Sequence, residues 1–159
     1  TMGIGLNCKF SGTYLMNGEI EAGINLTNLT EDSISYNEQT ETYLFSLPQP
    51  QLTRCYFTPE RYVSDNQFCF RPTFNDLREI AKYEASVEMI QDTLDAGLIN
   101  RSEREATILI ENLINTLTGK ATEIDFVEPD TDPLLPQSCN PEPPSGFGKN
   151  ADGTWVGNS

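Results

Sequence analysis

Histidine is absent from the 159 residues. That removes the commonest general base and the commonest transition-metal ligand in one stroke. No hydrolase triad containing histidine can be assembled, and neither a GxGxxG nor a GxxxxGK[ST] phosphate loop occurs. Positive charge is also scarce. Ten Lys and Arg stand against 24 Asp and Glu, for a formal net charge of −14. Such a surface repels nucleic-acid phosphates and anionic lipid heads, so neither is an expected partner. Long apolar runs are missing too, and nothing approaches the ~20 residues needed to span a bilayer. Direct membrane insertion is therefore not expected. The chain opens on Thr1, which is compatible with an upstream segment, such as a membrane anchor, having been removed.

Four cysteines are present: Cys8, Cys55, Cys69 and Cys139. None forms a CxxC pair, and without histidine or close pairing a structural zinc site is not supported. No metal and no cofactor are expected. Two disulfides are the better account, and they place the chain in an oxidising compartment such as a periplasm, cell surface or organelle lumen. Three connectivities are possible. The spacing favours Cys55–Cys69 as a local bridge and Cys8–Cys139 as a fastening of the two chain ends.

The remaining residues read as an α+β domain over 1–128. Lys9 to Met16 and Glu19 to Ile24 are strand-like, with Asn17-Gly18 between them as a type I′ hairpin signal. Ile20 and Ala22 alternate with Glu19 and Glu21, as one buried face requires. A second hairpin turns at Asn37-Glu38-Gln39-Thr40 and ends at Pro48 and Pro50. Gln51 to Thr58 and Gln67 to Phe70 are further strands. The period then changes. Thr73 and Asp76 open a helix that Gly97 closes, and Ser102-Glu103-Arg104-Glu105 reads as a capping box for a second. Ala106, Leu109, Ile110, Leu113, Ile114 and Leu117 form an apolar stripe expected to pack on the sheet. Thr122 to Val127 returns as a strand. The expected architecture is an antiparallel sheet of hairpins packed against a two-helix hairpin.

From 129 to 159 the composition shifts to Pro and Gly, an irregular C-terminal extension. Its start can be anchored through Cys139. Phe147, Trp155 and Val156 stand at its aromatic end, around an Asp152-Gly153 turn that pairs Phe147 with Trp155. This end is the expected partner-binding surface, on its own domain or on a neighbouring subunit.

Several short motifs weigh little. Three N-x-[ST] triplets begin at Asn25, Asn28 and Asn100, and triplets of this kind arise by chance. Glu128, Asp130 and Asp132 form an acidic knot. Asn150-Ala151-Asp152-Gly153 resembles part of a calcium loop, but Gly148 and Ser159 occupy positions that need acidic ligands, so a turn is the better reading.

Taken together, these features resemble one family. Glu21 to Leu29 is similar to an "xAGIDLSxL" core, Leu47-Pro48-Gln49-Pro50 to a strand-ending Leu-Pro step, and Asp95-Ala96-Gly97-Leu98-Ile99 to an "xAGLL" turn. The family is the bacterial domain of unknown function numbered 4230, and the resemblance covers about 9–127. It implies an extracytoplasmic domain tethered by an N-terminal membrane helix. It transfers no catalytic residue. The four cysteines and the 129–159 extension depart from the family pattern, and Asn25 stands where the pattern has aspartate.

The expected function is a non-enzymatic binding or structural module, an accessory subunit of an extracytoplasmic protein assembly. A small carboxylate-based hydrolase or ligand-binding domain is the first alternative, needing two carboxylates in one pocket. A calcium-dependent adhesion module is the second.

Overall fold

A computed structural model describes residues 12–64, 73–128 and 135–157. The class is α+β. Among the described residues seven strands fall into three sheets, with two long helices between the fourth and fifth strands. In chain order these are β1 (Gly12–Gly23), β2 (Ile34–Asn37), β3 (Thr42–Pro48) and β4 (Gln51–Ser64). Then come α1 (Phe74–Asp95), α2 (Leu98–Thr118), β5 (Ala121–Val127), β6 (Phe147–Lys149) and β7 (Trp155–Gly157).

β1 and β4 form a long antiparallel ribbon with two irregularities, one of which leaves Glu60 unpaired opposite the Leu15–Met16 step. The Asn17-Gly18 hairpin expected from the sequence does not form. Both residues lie inside β1, opposite Thr58 and Phe57. Asn17 donates from Nδ2 to the bulged Glu60 at 2.6 Å. Gly18 is there because α1 comes too close for a side chain: an added Cβ would stand 2.1 Å from the Met89 sulfur and 3.0 Å from the Phe57 ring. A glycine that permits close approach carries the same local signature as one that permits a turn. The predicted alternation does hold, since Ile20 and Ala22 pack against the core cluster.

The second hairpin forms as expected. β2 pairs antiparallel with β3, and the Asn37 side chain accepts the amides of Gln39 and Thr40 to shape the turn. β5 lies parallel to β3 on its other side, so this sheet is mixed rather than purely antiparallel. A parallel neighbour needs a long crossover, and β4, α1 and α2 make up most of it. The Gln67–Phe70 strand expectation lies outside the described residues.

α1 begins with the expected capping box. The Thr73 hydroxyl accepts the Asp76 amide, and the Asp76 carboxylate accepts the Thr73 amide at 2.8 Å. Gly97, at φ +82°, ends the run in the left-handed region. The Ser102 box does not start the second helix. α2 begins four residues earlier, at Leu98, with Gly97 serving as its first flanking residue. Leu98 packs on the core, and that burial outweighs the local capping preference further along. The core itself is small: Leu52, Cys55, Ile90 and Cys139 cluster together, while Phe45 and Leu47 are buried on β3.

Candidate docking site

The two helices meet their sheets differently. α1 lies on the β1–β4 ribbon, where Ile90 and Ser86 are its buried positions. One flank of α1 is covered by the extension. Cys139 is bonded to Cys55, which fastens residue 139 to β4 across 84 positions of chain. This corrects the favoured pairings: Cys55 bonds Cys139 and not Cys69, and Cys139 does not bond Cys8. Cys8 and Cys69 lie outside the described residues. Next to the bridge, the Ser138 hydroxyl accepts the Cys55 amide at 3.2 Å.

Further along, β6 and β7 form the small hairpin expected from the sequence, but with Trp155 opposite Lys149 and Phe147 opposite Gly157. Trp155 lies against α1. Its indole N–H donates to Glu84 at 2.6 Å, and its ring meets Tyr83 edge-on at 5.5 Å. The Lys149 ammonium sits 5.5 Å from the Trp155 ring centre and pairs with Glu84 at 2.5 Å. Phe147 is half-buried and Val156 is exposed. Of the three residues expected to bind a partner, the central one is thus engaged within its own chain. The Asn150–Gly153 segment is a turn in which the Asn150 and Asp152 side chains both accept the Thr154 amide. The Thr154 side chain, and after it the Thr154 amide, hydrogen-bonds the Asp152 carboxyl and holds it below its ordinary value of 3.8.

α2 has no such cover among the described residues. Its stripe was expected to pack on the sheet, and half of it does: Ala106, Ile110 and Ile114 are half-buried. The other half does not. Leu109, Leu113 and Leu117 are 71%, 54% and 71% exposed. Their four-residue spacing puts them one turn apart on one side of the helix. The six stripe residues span an arc of about 140° at 3.6 residues per turn, wider than the ~100° that faces a single core. That excess width was the signal in the sequence. Beside Leu109 the row opens into a groove of about 410 Å³ between α2 and the end of β1, floored by Ile24, Leu26, Ala106 and Ile110. Glu105 is the charged residue on its edge.

Groups suited to acid–base or metal chemistry are differently placed. Among the described residues no carboxylate is buried, and no group of three or more Cys, Asp or Glu is positioned to hold a metal ion. Asp130, Asp132 and Ser159 lie outside the described residues. No described helix is long and apolar enough to cross a membrane.

The family model described as "Protein of unknown function (DUF4230)" matches residues 4–124. No curated protein and no solved structure matches.

Proposed function

Because the chain belongs to the DUF4230 family, which has no assigned function to lend it, we propose from its surface that it is a non-enzymatic docking module. In this reading it is an accessory subunit of a protein assembly outside the cytoplasm. The observation that carries the reading is the exposed leucine row of α2 with its adjoining groove. Full removal of a leucine side chain from water is worth about 1.5–3 kcal/mol, so three in a row supply a substantial part of a modest interface.

The occupant is a different protein rather than a second copy. A chain of net charge −14 repels itself, and the groove edge carries a carboxylate in Glu105 with no cation among its lining residues. An apolar segment, helical or extended, with a basic border fits both features. The Cys55–Cys139 bridge supports the oxidising compartment. The extension, engaged through Trp155 and Glu84, acts as a stabilising strap in this scheme and leaves the docking role to α2.

The reading is tested in the producing cell with a photo-crosslinking amino acid at position 113 or at position 111, on the opposite side of α2. Cross-links to another protein at 113 and none at 111 are expected. The triple variant L109S/L113S/L117S should keep its helical circular dichroism and leave the assembly. Equal cross-linking at both positions, or a triple variant that stays in the same assembly, would overturn the proposal.

A further inference from the structure

The flank of α1 opposite the strap holds a second groove, of about 470 Å³, lined by β1 and α1 with nothing from β4. Leu15, Met16, Ala85 and Met89 give it an apolar floor, and Glu88 and Asp92 stand on its rim. The two edges of the β1–β4 ribbon are treated differently. On the β4 edge, the Cys55 amide points out of the ladder and is taken by Ser138. Pro59, which has no amide, is four residues along the same strand and shares that outward register. Their partners on β1 are Ile20 and Met16, with Gly18 between them. By the alternation of an antiparallel ladder, the backbone groups of Met16, Gly18 and Ile20 therefore point away from β4. Among the described residues no strand pairs with that edge.

We infer that the outer edge of β1 accepts an extended basic segment of another protein, which adds as a third strand and lays its side chains into the β1–α1 groove. A strand added there takes the outward amides and carbonyls of Met16, Gly18 and Ile20. Its alternate side chains face α1. Lysine or arginine fits that position: the aliphatic stem covers Met16 and Met89 while the charged head reaches Glu88 and Asp92. Those two carboxylates are one helical turn apart, a like-charged arrangement that disfavours the helix by itself. Neither has a cationic partner among the described residues. A bound cation removes that conflict, whereas an acidic segment or a second copy of this chain worsens it. The inference does not depend on α2 and concerns a different face.

The test uses the full chain and a blocked seven-residue peptide of alternating lysine and valine. Its glutamate–valine counterpart serves as the control. Fluorescence anisotropy should show binding of the lysine peptide alone, weakened at least tenfold by E88Q/D92N. The variant E123Q/D125N removes the same charge from the other sheet and should change affinity less than twofold. Hydrogen exchange should show Met16, Gly18 and Ile20 protected by the lysine peptide. No binding at millimolar peptide, equal weakening by both variants, or binding that leaves those three amides unprotected would overturn the inference.

Discussion

Among the described residues, the half of the molecule built on β1, β4 and α1 is strapped, and the half built on β2, β3, β5 and α2 is not. In the first, a disulfide, an edge amide captured by Ser138 and a tryptophan bonded to Glu84 tie a proline-rich segment across one flank of the helix. In the second, a helix of nearly equal length ends with three leucines in water. The two helices differ in what covers them more than in apolar content. Stability is expected to concentrate in the strapped half and partner binding on the faces left uncovered, the leucine row of α2 and the outer edge of β1, because a surface already satisfied within its chain has little to gain from a second contact.

The contrast breaks most readily at the bridge. Cys139→Ser, or reduction, should cost roughly 4.5 kcal/mol by the loop-entropy relation for a closure of 84 residues. Urea unfolding with and without reductant measures it. Hydrogen exchange should show the β6–β7 hairpin losing protection first. A loss under 1 kcal/mol would mean that the strap holds without its covalent tie. Trp155→Ala is next, at about 2 kcal/mol, since it removes an aromatic edge contact and a hydrogen bond to a carboxylate at a half-buried site. Trp155→Phe should recover about half of that, because it keeps the ring contact and loses only the indole donor. Gly18→Ala should cost about 1–2 kcal/mol through crowding against Met89 and Phe57. A double-mutant cycle with Met89→Ala should recover part of it, because the nearest obstacle is the sulfur of a flexible side chain. In the open half, Leu113→Ser should lie within about 0.5 kcal/mol of the parent. A larger loss would place Leu113 in the core and erase the contrast.

The smallest effect is at the turn of the strap. The folded pKa of Asp152 is depressed, chiefly by its side-chain hydrogen bond with Thr154. Its contribution is therefore complete above the unfolded value of 3.8 and fades as the pH falls through the lower folded value. An NMR titration should show the Thr154 amide shift only below the usual carboxylate range. A transition at or above that range would contradict the bond.

Local signals were the legible part of this chain. The Thr73–Asp76 box, the β2–β3 hairpin and the β5 alternation act within a few residues of themselves and form where the sequence puts them. The misread ones depend on distant neighbours. Asn17-Gly18 is a turn signal only until α1 is known to press on it, and Ser102-Glu105 is a helix start only until the half-buried Leu98 is seen to pack on the core upstream. Cysteine spacing favoured a local bridge because chain distance was the available measure, whereas the bonded pair is set by where the short 3-10 turn Gln137–Cys139 lands on β4.

By itself the sequence determined the α+β class, the family, the acidic surface and the lack of histidine chemistry, since composition and short-range periodicity carry those directly. Tertiary structure alone decided which cysteines meet, which half of the α2 stripe stays in water and that Trp155 is spent on Glu84 rather than left for a partner. Each of those depends on how much apolar surface two faces bury together, and that quantity is a property of the pair of faces rather than of either segment alone.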